Sequence, residues 1–466
     1  MDDFESRLGT AIRLAGGSVV APESLPDRIR ETSARRARAQ AIRTAAVLSL
    51  LVAVTVSTAG LVVASNGHVT PPATIPVGSY TNDPSMSGVL QTISCASPAH
   101  CVAGGLTPGA KSFAVVEEGS TWVPQRTPNP KGARYVVIDG VSCPRSGACM
   151  AVGISSTLGP GKPLKPWTRV TSRPFAQWWN GKVWTLREVP LPSNGRGWLN
   201  GVACPSANRC VAVGSGSLID SWNGVRWAAD NLPANQPAGL DLYGVSCSTT
   251  TSCTAVGWEQ RAGGRVLGVI EELAGGRWRT TTLPNAALNS VSCVSAQQCV
   301  AVGYLELGGG GGVGRGGEVA GVQIVPTEAL VENWNGHDWT RSILPGKLAR
   351  TSFLNGIVVL SGVAGYTNGL QKVSCKATTC VAVGFEGSNP VAIVRTRGAW
   401  SETSAPPARA GQPTFLLSVS CQAATSCTAT GFAEPAAGKS NDVEPVIEHW
   451  NGQRWTLTFE AGSSAG

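Results

Sequence analysis

The chain has 466 residues, of which only 14% are charged, and a formal net charge of +8. That length suits about three ordinary domains or a single repeat array. The charge is modest and makes no dense basic stripe beyond a short leader, which argues against nucleic acid as a partner.

Residues 1–43 form that basic leader. Phe4, Leu8 and Ile12 fall on one face of a helix starting near Asp2, and a second helix is expected after Ser24, with Pro26 in its first turn. Arg28, Arg30, Arg35, Arg36, Arg38 and Arg43 then precede 21 uncharged residues, 44–64, reading TAAVLSLLVAVTVSTAGLVVA. Such a run is long enough to cross a bilayer as one transmembrane helix. No Lys or Arg occurs in the SNGHVTPPATIPVGS that follows. The positive-inside rule therefore places the leader in the cytoplasm and the rest outside, as in a single-pass protein of the cell membrane. A signal peptide cleaved after Val62-Val63-Ala64 is the alternative; the long leader and long apolar run favour a retained signal anchor. Residues 65–87 read as a Pro-rich linker. The leader resembles those of actinobacterial single-pass proteins, some of them sigma-factor regulators. No cysteine precedes Cys95, so it lacks the ligands of a zinc-type anti-sigma domain.

All 14 cysteines then fall in close pairs: Cys95/Cys101, Cys143/Cys149, Cys204/Cys210, Cys247/Cys253, Cys293/Cys299, Cys375/Cys380 and Cys421/Cys427. In an exported chain this regular even count reads as disulfides, not as zinc sites. Each pair lies in one copy of a repeat, as in GVSCPRSGACMAVG and SVSCVSAQQCVAVG. Each copy is followed by a second block, as in WNGKVW (residues 179–184) and WNGQRW (residues 450–455). Successive first cysteines are 48, 61, 43, 46, 82 and 46 residues apart, and a period in the forties suits propeller blades.

Four short strands per copy are expected. The first ends in Val-Ser-Cys, the second begins Cys-x-Ala-Val-Gly, the third precedes Asn-Gly, and the fourth begins at the closing Trp. The paired cysteines then flank the loop between the first two strands, where a disulfide can staple the hairpin. Asn-Gly marks hairpin turns, and β-branched residues in period-two alternation mark strands. One four-stranded blade cannot bury both its faces, whereas seven arranged radially can. The two Trp flanking Asn-Gly suit packing between blades. The expected fold is thus all-β: a seven-bladed β-propeller over residues 88–460, with a tail at 461–466. The long intervals hold segments 158–171, 307–321 and 344–369. These read as insertions between strands, with a degenerate eighth blade in 307–370 as the alternative.

The copies resemble exported actinobacterial proteins built from tandem S-C-x5-C-x-A-V-G … W-N-G-x-x-W units. More distantly they resemble Asp-box propellers, including sialidases and photosystem II assembly factors, whose repeats end in Gly-x-Thr-Trp, as Gly119-Ser120-Thr121-Trp122 does. Both resemblances imply a propeller. Sialidase catalysis does not carry over, because the exported region has no Arg-Ile-Pro motif or matching arginine set.

No catalytic, cofactor or metal motif stands out. His68, His100, His337 and His449 lack a neighbouring nucleophile signature. The match Gly312-x-Gly314-x-x-Gly317 sits in a glycine run without a strand–helix frame. A glycosidase needs two carboxyls flanking a sugar, and Asp220, Asp241, Glu117/Glu118 and Glu271/Glu272 are available. Glu117/Glu118, Glu271/Glu272, Glu332 and Glu448 recur before the turn at one repeat position, which points to a structural role. Trp167, Trp178, Trp198 and Trp258 fall outside the repeat positions, and Trp167 and Trp198, on loops, are the candidate ligand contacts. The expected role is a non-catalytic binding or scaffolding module at the cell envelope for a protein or glycan. A glycan-active enzyme, or an envelope sensor signalling through residues 1–43, are the alternatives.

Overall fold

The computed structural model describes residues 77–81 and 87–460, apart from residue 120 and segments 158–171, 193–194, 231–238, 262–265, 307–317, 320–321, 324–325, 345–352, 355–357, 361–362, 367–368 and 435–442. The leader, the apolar run 44–64, His68, most of the linker, Trp167, the glycines at 312, 314 and 317 and the tail lie outside the described residues. No helix among the described residues is long and apolar enough to cross a membrane.

Seven four-stranded antiparallel sheets follow one another along the chain: blade 1 (89–125), blade 2 (135–187), blade 3 (199–229), blade 4 (240–284), blade 5 (286–341), blade 6 (369–403) and blade 7 (414–460). Each uses four consecutive main strands in simple meander order, with the first innermost; neighbouring first strands touch around a common axis. The chain is a seven-bladed β-propeller. Its first strand runs toward the cysteine loop, so the loops between strands 1 and 2 and between strands 3 and 4 share one face, called here the disulfide face. Loops between strands 2 and 3 and the blade-to-blade links share the other, the link face.

The repeat residues explain this geometry. Asn180, Asn223, Asn335 and Asn451 each accept two backbone N–H bonds from their own turn through Oδ1, at 2.8–3.0 Å. The glycines after them have φ between 92° and 94°, a region that costs Gly little and other residues more. The flanking Trp residues become cross-strand pairs, Trp179/Trp184, Trp222/Trp227, Trp334/Trp339 and Trp450/Trp455, with ring centroids 5.4–5.7 Å apart. They face the preceding blade: Trp222 and Trp227 share a core with Met150, Val152 and Ala176 of blade 2, and Trp450 and Trp455 with Val381 and Ala392 of blade 6. The expected inter-blade packing is thus observed.

All seven cysteine pairs are disulfides, each joining the first two strands of one blade. Cys95 bonds Cys101, Cys143 bonds Cys149, Cys204 bonds Cys210 and Cys247 bonds Cys253. Cys293 bonds Cys299, Cys375 bonds Cys380 and Cys421 bonds Cys427. No cysteine among the described residues is free. The structure corrects the expected strand ends. In blade 1 the ladder pairs Cys95 with Cys101 and continues to Ser97 opposite His100; in blade 5 it pairs Cys293 with Cys299 and continues to Ser295 opposite Gln298. The bridge at Cys421–Cys427 is likewise followed by Ala423 opposite Ser426. The second strand starts one residue before Cys101, Cys149, Cys210, Cys299, Cys380 and Cys427, and only in blade 4 at the cysteine itself, Cys253. Six of the disulfides are thus rungs inside the ladder, and only in blade 4 does the bridge, Cys247–Cys253, close a five-residue loop as expected. The reason is that an x5 spacing leaves room for further pairing and a tighter turn beyond the cysteines. The second cysteine of each pair (Cys101, Cys149, Cys210, Cys253, Cys299, Cys380 and Cys427) is buried in the blade core, which suits an inert structural bridge. Loops this short stabilise by only about 2 kcal/mol each on the chain-entropy account.

The serine before the first cysteine has a separate task that its repetition alone did not reveal. Its Oγ accepts the backbone N–H of the equivalent cysteine in the next blade, at 2.9–3.0 Å: Ser94 from Cys143, Ser142 from Cys204, Ser246 from Cys293, Ser292 from Cys375, Ser374 from Cys421 and Ser420 from Cys95. The last of these closes the ring, together with Ser418 Oγ accepting from Ile93 N at 3.2 Å. Ile447 of blade 7 also packs with Leu90 and Phe113 of blade 1. Among the described residues, no strand is exchanged between the first and last blades.

One seam lacks the serine bond. Blade 3 carries Ala203 at that position, and a cavity of about 300 Å³ opens beside it between blades 3 and 4, lined by Arg209, Ser221, Asp230, Thr250 and Trp278. Ala203→Ser should add the missing bond to the Cys247 N–H and stabilise by about 1 kcal/mol, the usual net worth of one hydrogen bond. Denaturant midpoints measure this; a midpoint unchanged or lowered in A203S would refute the role given to the serines.

The long interval before blade 6 contains no further four-stranded sheet among the described residues. It supplies short pairs, Glu318–Val319 with Val322–Gln323 and Val358–Leu360 with Val363–Tyr366, and Phe353–Leu354 extends blade 5. Blade 5 bonds straight to blade 6, through Asn289 Nδ2 to Leu370 O at 3.0 Å and Val373 N to Ser290 Oγ at 3.3 Å. No eighth blade stands between them. Within the expected linker, Val77–Thr81 forms a strand paired with Thr127–Pro130, because the backbone leaving blade 1 offers an open edge there.

Candidate functional site

Each first strand carries a β-bulge at one equivalent position. The register slips across Gln91, Asp139, Asn200, Tyr243, Asn289, Gln371 and Leu417. A bulge leaves one residue without a cross-strand partner and re-aims its side chain. The glycine ending Cys-x-Ala-Val-Gly is its counterpart: a Cβ on Gly105, Gly153, Gly214, Gly257, Gly303, Gly384 or Gly431 would overlap the carbonyl oxygen of the residue two before the bulged one, Asp241 for Gly257. Only Gly admits so close a backbone approach.

The bulged residues encircle the axis in the link-face half of the ring. The leucine or isoleucine before each is fully buried, whereas all but Leu417 keep solvent contact. On an innermost strand that solvent lies along the axis. Here the repeat diverges, offering amides, a carboxylate, a phenol and one apolar residue. The strand ends at Ser156, Ser172, Glu306 and Arg341, which bound the sequence intervals holding the predicted insertions, lie on this same face.

Four members form a contiguous arc. A Cβ on Gly140 would come within 3.0 Å of Gly201 Cα and 3.2 Å of Asn200 O; one on Gly201 would lie 2.9 Å from Tyr243 O, and one on Gly244 would lie 3.2 Å from Asn289 O. Asp139, Asn200, Tyr243 and Asn289 therefore follow shoulder to shoulder across blades 2 to 5. Asn200 Nδ2 donates to Leu242 O at 2.8 Å and Asn289 Nδ2 to Leu370 O at 3.0 Å. Tyr243 stacks on Trp258, centroids 5.6 Å apart and planes 11° apart, with Tyr304 packed nearby. Burial pushes the Asp139 carboxyl up to about 7, and it raises the Tyr243 phenol, helped by Asp241. Lys372 stands one residue past the bulge of blade 6, and burial holds its ammonium below the ordinary value.

No family model matches this chain, and no curated protein matches it. Among solved structures, a chain titled "YCF48 bound to D1 peptide" is similar, at 11% identity and a TM-score of 0.43, over 82% of this chain and 96% of that one.

The residues singled out from sequence are dispersed. Trp198 is half-buried just before the first strand of blade 3, and its backbone N–H donates to Ser215 Oγ at 3.1 Å. Trp258, an outlier in the repeat, is the aromatic that reaches the axial arc. His100 bonds Ser97 Oγ through Nδ1 at 2.9 Å in a cysteine loop, His337 sits on a turn, and His449 lies on the third strand of blade 7. Among the described residues, no three His, Cys, Asp or Glu side chains converge as a metal site.

The recurrent acids need one correction. Gln177, Asp220, Glu271, Glu332 and Glu448 share a register, each opposite the alanine of Ala-Val-Gly, and all are buried. Blade 1 places Val115 there; Glu117 pairs with Trp122 and takes the place of the first turn Trp, so Glu117 and Glu118 do not belong to the set. Glu272 points one residue out of phase, opposite Arg279. Glu271 accepts from Thr280 Oγ1 at 3.0 Å, and Glu332 pairs with Arg341 at 2.9 Å. No such partner reaches Asp220 or Glu448. Sequence reasoning missed the axial ring. Its only signal is that the fourth residue before each first cysteine (Gln91, Asp139, Asn200, Tyr243, Asn289, Gln371, Leu417) varies while its neighbours repeat.

Proposed function

We propose that this protein is a membrane-anchored, non-catalytic binding module whose propeller captures a protein or glycan at the cell envelope. Its binding site is the link-face mouth of the axis. The observation that carries this reading is the bulged ring: one register position is held by backbone geometry in all seven blades, yet its side chain differs around the circle. A scaffold needs the geometry; only a ligand needs the variety, because function resides in sites grafted onto folds. The uncharged run 44–64 and the arginines before it support the anchor, and the seven disulfides suit an oxidising compartment.

The test is a binding screen of the full-length chain against envelope proteins and glycans. A ring variant, Gln91→Ala with Asn200→Ala, is compared with a disulfide-face variant, Lys182→Ala with His337→Ala. Loss of capture by about tenfold or more in the ring variant alone is expected, since clustered central contacts dominate binding. Equal capture by both variants would move the site off the axis.

A further inference from the structure

The axial ring is chemically lopsided, and its polarity narrows the ligand. On blades 2 to 5 the arc presents acceptors. The Asn200 and Asn289 amides are oriented by the bonds their Nδ2 atoms donate to Leu242 O and Leu370 O in the next blades. Neither Oδ1 accepts a hydrogen bond among the described residues, so each remains an available acceptor. Between them, one face of the Tyr243 ring lies against Trp258 while the residue stays partly exposed. Beside Asn200 stands Asp139, whose carboxylate receives no hydrogen bond among the described residues and whose protonated form is favoured by burial. No Lys or Arg occupies the arc. The nearby cation on the first strands, Lys372, lies on blade 6, beyond its end.

We propose that the arc of Asp139, Asn200, Tyr243 and Asn289 receives the protonated side chain of a Lys or Arg from a partner peptide. Resting on the axial binding reading above, this names the group that site recognises. The chemistry fits in three ways. Asp139 has no partner for its charged form, so an arriving cation offsets the burial that holds it protonated and draws it into an ion pair. Amide oxygens held by inter-blade bonds are preorganised acceptors for N–H donors. An aromatic face stiffened by a stacked neighbour attracts ammonium and guanidinium groups through its quadrupole. A neutral glycan would use the aromatic face and the amides, but would bring no charge to draw Asp139 into its carboxylate form.

The experiment titrates the full-length chain with three capped pentapeptides, Gly-Gly-X-Gly-Gly, in which X is Lys, norleucine or Glu, and follows aromatic fluorescence. The Lys peptide is expected to bind about tenfold tighter than its norleucine isostere, and Asp139→Asn and Tyr243→Leu should each remove most of that preference. Lys372→Gln should tighten the Lys peptide about two- to threefold by removing a like charge. Unchanged thermal midpoints show that the variants fold. Equal binding of the Lys and norleucine peptides, or a preference for Lys that survives D139N, overturns the proposal. Binding only of norleucine or Glu peptides, still lost in ring variants, overturns the cation assignment and keeps the axial site. Absence of any ring-dependent binding overturns both.

Discussion

Gly257→Ala is expected to destabilise the propeller by about 3 kcal/mol, the upper end of what overpacking costs. The new Cβ would meet the Asp241 carbonyl oxygen, and backbone on an innermost strand has little room to retreat. The bulge at Tyr243 would have to flatten, shifting every later residue of that strand to the wrong face of the blade. Gly109→Ala is the matched control. Its φ is not positive, and its Cβ would meet only Thr107 Oγ1, at 3.6 Å. It should be neutral or stabilise slightly, by about 0.5 kcal/mol through the unfolded state. Chemical denaturation compares the two, and similar costs at both sites would sink the bulge account. G257A should also weaken any ligand that uses Tyr243.

The second large effect is a loss of stability as pH rises. Burial pushes the Glu448 carboxyl up to about 8, and burial with the Asp230 charge behind it pushes Asp220 up to about 7. Both side chains are fully buried, and neither carboxylate has a hydrogen-bond partner. The ordinary values, which hold in the unfolded chain, are 4.5 and 3.8. Between those values and the raised ones the folded state holds protons that the unfolded state releases. Stability therefore falls as pH climbs through that window, then levels off. The slope approaches about 1.4 kcal/mol per pH unit for each group. His449, lowered by burial, opposes this weakly near its own titration. Urea midpoints should drop from pH 5 to pH 8, and Asp220→Asn with Glu448→Gln should flatten the trend. A parent midpoint that rises or stays level across this range contradicts the assignment.

Much of this molecule was readable before any coordinates. Cysteine pairs counted the blades, Asn-Gly placed the outer hairpins, and the closing Trp began the fourth strand, because each is a local demand written in local residues. The bulges were not readable, since a bulge is a property of register between two strands. Gly257 reads as one more strand glycine of the repeat until Asp241 is found beside it. Glu117 was misplaced for the same reason: the hairpin of blade 1 pairs it with Trp122, and only pairing tells which residue stands opposite the alanine. Register also hid the rungs beyond Cys101 and Cys299, where spacing alone suggested a loop. The axial arc is less legible still. Asp139, Asn200, Tyr243 and Asn289 come from four blades, and the sequence signals them only as a variable position four residues before each first cysteine.

Closure without strand exchange has a mechanical consequence. The joint between blades 7 and 1 carries two serine bonds and a shared apolar cluster, so it is as strong as an ordinary seam. The joint between blades 3 and 4 has no serine bond at Ala203 and a cavity beside it. Under heat or tension the ring should part first in mid-chain, not where its first and last blades meet. The polypeptide there is continuous, so the two halves stay tethered and can close again.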